Sequence, residues 1–245
     1  MPDAAPRPGR TGPARQQAKP VRGSLSRGPG RPSAAAAPDA QRARILEAAA
    51  AHFARHGFAG ASLRDMAEDV GLSHAMIRHL FGAKEALWDA AAEHLFARMR
   101  TAMATALDGI DPADPVQRMA AQVRASVRTA ARVPSLAGFV MQAGLAGGPR
   151  YEALVERHLR PIHAFALEPY RQLAARGRSA PIPEHFIFLM ATNAAINPFA
   201  QAANSRALAG IELTDPAVAD AYAEALIAVL QYGLLRSPAN AGTAA

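Results

Sequence analysis

The residues best placed to do chemistry stand within one short stretch, His74, Ala75, Arg78 and His79. Spaced ~100° apart around a helix axis, these four fall on one arc, and Met76, Ile77, Leu80 and Phe81 fall on the other. The second arc is the expected core face. The first carries a guanidinium, two imidazoles and a methyl group small enough for close approach. Such a face suits hydrogen bonding to base edges and phosphates in a DNA major groove, and it has no nucleophile to activate.

Catalytic constellations are missing from the rest of the chain. There is no Gly-x-Ser-x-Gly elbow, His-Glu-x-x-His pair, phosphate-loop lysine or dinucleotide fingerprint, so the chain is read as no enzyme and as needing no cofactor. With zero cysteines, disulfides, thiolate zinc sites and cysteine nucleophiles are excluded, and a cytoplasmic location is the expectation. His52 and His56 stand four apart without a third ligand at useful spacing. They are read as surface and capping residues, with no metal site expected.

Two elements must position the polar arc. Ser62 can cap a helix whose Leu63, Met66, Ala67 and Val70 recur at i, i+3, i+4 and i+7. Gly71 supplies the left-handed residue that ends it, and Ser73 can cap the next helix at once. A turn this short forces the two helices to cross sharply, as in a helix-turn-helix that presents its second helix to DNA. Upstream, Ile45, Leu46, Ala49 and Phe53 form the buried stripe of a helix starting near Asp39 and closing at His56-Gly57. Downstream, a helix starts near Lys84 and runs to about Leu107, roughly 36 Å at 1.5 Å per residue.

From about Arg42 to Trp88 these features together resemble the TetR family of bacterial transcription regulators. The likeness rests on Ile45-Leu46, Ala49, Phe53, Gly57-Phe58, the helix from Ser62 to Gly71, Leu72-Ser73, and Ile77-Arg78-His79-Leu80-Phe81-Gly82-Ala83-Lys84-Glu85-Ala86-Leu87. Many family members carry Tyr-Tyr-His where this chain has Arg78-His79-Leu80. The resemblance implies a DNA-facing set of Ser62, Arg64, Ser73, His74, Ala75, Arg78, His79 and Lys84, the last contacting phosphate at the start of its helix. It also implies an effector-binding body and a homodimer formed through the last two helices. The expected function is that of a repressor released from a palindromic double-stranded DNA operator by a small hydrophobic ligand. An activator of the same build, or an architectural DNA-binding protein driven by its basic tail, remains an alternative.

Charge is distributed unevenly. The formal net charge is +7, and residues 1–38 hold seven basic side chains against Asp3 alone, a surplus of six. This stretch is rich in Pro, Gly and Ala and is expected to be a disordered basic tail. Within it Arg27 and Arg31, set between Gly and Pro, resemble half of a minor-groove hook; a solvated tail without fixed contacts is the other reading. The domains are read as the tail to residue 38, a helix-turn-helix domain over 39–88, a helical body over 89–237 and a disordered end at 238–245.

The body is expected to be all-α, with helices near 116–131, 135–146, 150–176, 183–204 and 216–235 and with Pro161, Pro169 and Pro198 kinking them. No run approaches the ~18 uninterrupted apolar residues of a membrane span. Phe139, Gln142, His163, Tyr170, Met190 and Asn193 combine apolar bulk with sparse polar groups, either an effector pocket or satisfied core. Tyr222, Leu226, Val229, Leu230 and Gly233, with Phe186, Met190, Asn193 and Asn197, form the candidate dimer face, which helical spacing alone does not separate from intrachain core.

Overall fold

The computed structural model describes residues 36–234, so both expected tails, with Arg27 and Arg31, lie outside the described residues. Eleven helices occur in this range: α1 (Ala36–Gly60), α2 (Leu63–Asp69), α3 (His74–Phe81), α4 (Lys84–Thr105), α5 (Pro115–Arg132), α6 (Ser135–Ala146), α7 (Gly148–Leu154), α8 (Arg160–Ala175), α9 (Glu184–Ala200), α10 (Ala202–Ala209) and α11 (Pro216–Leu234). A π-helical turn, Val155–Leu159, joins α7 to α8. No strand occurs among the described residues, and the molecule is all-α.

Local chemistry explains the head. The Ser62 hydroxyl accepts from the Asp65 N–H and the Ser73 hydroxyl from the Met76 N–H, the latter at 3.1 Å. Each such cap contributes about 1 kcal/mol. Gly71 at φ +69° turns the chain between them, and Gly57 at φ +66° ends the regular part of α1. Met66, Ala67 and Ile77 then close the inner side of α2 and α3 against Ile45, Leu46, Ala49 and Phe53 of α1.

Helix α4 is buried along nearly its whole length. Leu87, Trp88 and Ala91 pack in the head, and Phe96, Met99 and Met103 reach into the body. The same hydrophobic cluster continues through Leu136 and Phe139 of α6 to Leu154. The core therefore runs unbroken across the expected boundary at 88/89, with α6 laid against α1.

A second cluster joins α5, α9 and α11 through Val127, Phe199, Ala223 and Ile227. Arg124 and Arg128 of α5 pair with Glu224 and Asp220 of α11 and pin its orientation. By length and composition α11 could cross a membrane, at mean hydropathy 1.2, but these acidic residues and its inner face are committed to α5. Ile187 packs with Leu230 and Leu234, while Phe199 meets Tyr222, so α9 and α11 run antiparallel.

Prolines act in three different ways. Pro161 is the second residue of α8 and follows directly on the π turn. Pro169 lies inside α8, and Pro198 precedes the end of α9 by two residues, splitting the expected 183–204 helix into α9 and α10.

Candidate nucleic-acid interface and ligand cavity

Helix α3 lies on the outside of the head, bracketed by α2 and α4 and held by Ile77, which is fully buried. His74, Ala75, Arg78 and His79 are all exposed, and no hydrogen bond or ion pair engages the three ionisable ones among the described residues. The expected core arc is narrower than its spacing implied. Met76 and Leu80 are 44% and 43% exposed, leaving Ile77 and half-buried Phe81 to do the packing. The reason is the brevity of α2: two turns of helix cover only a strip of α3.

Around this face the remaining cations are partly occupied. Arg64 donates to Glu68 at 3.1 Å on the surface of α2. Lys84 donates to the Ala59 carbonyl at 3.2 Å and stands 4.8 Å from the centre of the Phe58 ring, tying the end of α1 to the start of α4. Arg42, which sequence reading passes over, sits 4.6 Å above Phe81 and adds a guanidinium beside the end of α3. Nothing in its local sequence marks it; only the folded approach of α1 to α3 does. Ser62 and Ser73 serve as helix caps, with their hydroxyls directed at backbone N–H groups.

Residues 45–97 match the family model described as bacterial regulatory proteins, tetR family. The HTH-type transcriptional regulatory protein RaaS of Mycobacterium tuberculosis is 44% identical over 78 residues, 32% of this chain and 36% of that protein. Over residues 45–97, then, the chain is similar to the TetR family. Among solved structures, the ketosteroid transcriptional regulator KstR2 of Mycobacterium tuberculosis superposes with TM-score 0.65 at 18% identity, over 80% of this chain and 96% of that one. The TetR family transcriptional regulator PfmR from Thermus thermophilus superposes with TM-score 0.55 at 22% identity, over 79% and 100%. At these identities the likeness is one of fold. The match to RaaS spans about a third of its length and is confined to one part of each chain.

The body holds a cavity of about 440 Å³. Phe96, Met99 and Met103 of α4, Met119 and Gln122 of α5, Val140 and Met141 of α6, Tyr170 of α8 and Asn193 of α9 line it. No charged side chain is among the lining residues. Its polar groups are largely satisfied: the Gln122 amide donates to the Phe165 carbonyl at 3.1 Å, and the Tyr170 hydroxyl to the Ile182 carbonyl at 2.6 Å. The Asn193 amide donates to the Leu189 carbonyl at 2.7 Å.

Of the six expected pocket residues, Tyr170 and Asn193 line this cavity and four do not. Phe139 and Gln142 lie on the opposite side of α6. Phe139 packs 5.0 Å from Trp88 and edge-on to Phe53, and Gln142 reaches toward Gly57. His163 sits edge-on to Phe188 at 4.5 Å and near His185; burial, then the cationic form of His185, pulls its pKa below the ordinary histidine value. Met190 is 52% exposed on the outer face of α9. Periodicity marks the faces of α6 and α9 but not which neighbour covers which face.

His52 also departs from its expected surface role. It is buried, and its Nε2 lies 2.7 Å from the Asp69 carboxylate, joining α1 to the end of α2. Its ring centre is 5.9 Å from that of His56, and among the described residues no group of three or more His, Asp or Glu side chains could hold a metal. The candidate dimer face divides too. Leu226 is buried and Tyr222 donates to the Ala194 carbonyl at 2.7 Å, while Val229, Tyr232 and Gly233 face solvent.

Proposed function

We propose that the chain is a cytoplasmic repressor that binds a near-palindromic operator as a homodimer and leaves it when a small hydrophobic ligand enters the body. The observation that carries the DNA reading is the exposed, unengaged set of His74, Arg78 and His79 on α3. Arg78 has the donor geometry to read guanine, and the imidazoles can meet base edges or phosphates. Two copies would set their α3 helices in successive major grooves about 34–36 Å apart.

The ligand class follows from the cavity wall. A site with no charged lining residue offers nothing to offset the desolvation of a carboxylate, phosphate or ammonium, so the ligand is neutral and mostly hydrocarbon. Only a ligand with different affinities for two conformations of the body can move the operator equilibrium. Helix α6 touches both the cavity and α1, and α4 spans cavity and head, so the change passes through these two helices.

A homodimer is supported by the outer faces of α9 and α11. Phe186, Leu189 and Met190 lie near the start of α9, Val229 and Tyr232 near the end of α11, and the antiparallel packing brings these stretches to the same end of the body. The test of the DNA reading is selection of binding sites from random duplex DNA. The wild-type chain should recover a two-fold-related sequence, and Arg78→Ala and His79→Ala should each lower its affinity by about tenfold or more. Wild-type sequence preference in both variants would remove α3 as the reading element.

A further inference from the structure

Met76 and Leu80 stand four residues apart on α3 and leave over two fifths of their surface in water, at 44% and 43%. Let Ile77 and Phe81 mark the inward direction of this helix. At ~100° per residue His79 then points straight out, Ala75 and Met76 lie roughly 40° and 60° to either side, and Arg78 and Leu80 lie about 100° away on opposite flanks. The exposed surface of α3 thus has an apolar flank, Met76 with Leu80, and a polar flank at Arg78, with His74 a further ~40° round from it. Of these, Met76 stands nearest the outward line along which bases would approach, and Leu80 and Arg78 project from the two sides of the helix.

On the floor of a major groove, hydrogen-bonding atoms are shared among all four base pairs in different patterns, but only one base edge presents a large apolar feature: the 5-methyl group of thymine. Water-exposed thioether and isobutyl groups on the same short helix as Arg78 and His79 match that feature in chemistry and position. We propose that Met76 and Leu80 are specificity-determining residues that read thymine, packing their side chains on thymine methyls beside the base pairs contacted by His79. The inference rests on the regulator reading above and adds to it the base that this flank selects. The unbranched Met76 side chain adapts to the methyl it meets, while Leu80 has the more fixed shape.

Deoxyuridine differs from thymidine by that methyl alone and pairs identically, so it isolates the contact. Sites selected from random duplex DNA by the full chain would be resynthesised with deoxyuridine at each thymine in turn, and binding measured with wild type and with the Met76→Ala/Leu80→Ala double variant. Wild-type binding should weaken about fourfold per contacted methyl removed, the value of burying one such group. The double variant should bind the thymine and deoxyuridine versions of those positions equally, while Arg78→Ala should bind more weakly but keep its sensitivity to deoxyuridine. Both side chains are exposed, so the double variant should melt as wild type does. A wild-type chain that selects a sequence but ignores every deoxyuridine would overturn the thymine reading and leave the regulator standing. Undiminished sensitivity in the double variant would do the same, and failure to select any sequence would overturn both.

Discussion

His158 shows how a single residue ties the cavity wall to the helix that carries the head. The π turn rotates it inward, where its ring stacks on Phe96 of α4 at 4.8 Å with 7° between the planes, while its neighbour Leu159 lines the cavity. Its Nδ1 is buried without a hydrogen-bond partner, and Glu93 Oε2 stands 3.9 Å away. Burial pulls the pKa below the ordinary 6.5, opposed by Glu93 and Asp89 and assisted by Arg100 and Arg157. Between the folded and unfolded pKa values the unfolded chain binds more protons, so stability is complete above about pH 6.5 and is lost as pH falls below it. His158→Phe keeps the stack and removes the proton. Urea midpoints of this variant should fall less than those of wild type between about pH 7 and pH 5, the remaining slope including His94, whose pKa burial also lowers. Equal slopes in the two proteins would show that His158 is already free to ionise in the fold.

At the scale of elements, α6 is the piece with two duties, and its two glycines report on them separately. A Cβ on Gly138 would come 3.1 Å from the Ala54 side chain and 3.3 Å from the Ala54 carbonyl of α1, whereas one on Gly144 would meet only the Tyr151 ring at ordinary distance. Gly138→Leu should therefore force α6 away from α1 and cost about 1–3 kcal/mol in urea unfolding. Gly144→Ala should be neutral, or stabilising by up to about 1 kcal/mol from helix propensity. If Gly138→Leu unfolds like wild type, the packing of α1 on α6 is loose enough to absorb a side chain and cannot transmit a shift. Arg150, at the start of α7, adds a second strap across the same seam, with its guanidinium 3.4 Å from the centre of the Phe58 ring and also near Trp88.

These two helices also show what the sequence could disclose. The caps at Ser62 and Ser73, the turn at Gly71 and most helix limits of the body are legible because caps, glycine turns and spacing act within a few residues. The polar arc of α3 is legible for the same reason. Which parts of the other arc are covered is not, since it depends on the length of α2 and the path of α4; hence spacing alone assigns Met76 and Leu80 to the core. His52 reads as a surface residue because its partner, Asp69, arrives from another helix. Phe139 and Gln142 share a helix with the cavity-lining Val140 and Met141 yet face the head, a distinction made only by packing α1 on that side. Lys84 reads locally as a free cation at a helix start, but the fold turns it onto Ala59 and Phe58.

The whole molecule combines a head and body that share one hydrophobic core with an outer apolar end that nothing among the described residues covers. In the mechanism proposed above, a change in the body would reach α3 through this shared core as a movement of packed helices, and it would matter only if a second head were held at a fixed distance. Val229→Asp combined with Phe186→Asp places charges on two side chains that are 68% and 56% exposed, so the protomer should fold and melt nearly as before. In a dimer joined through this end, the same charges would be desolvated against apolar neighbours. Sedimentation should then show a monomer, and affinity for a two-fold operator should drop by about 10²–10⁴ as the second half-site loses its tethered head. Leu208→Asp supplies the control, because Leu208 is 88% exposed on α10, off the α9–α11 end, and its substitution should leave both mass and affinity unchanged. A dimer that persists in the first variant would place the joining surface elsewhere, and with it the distance between the two recognition helices.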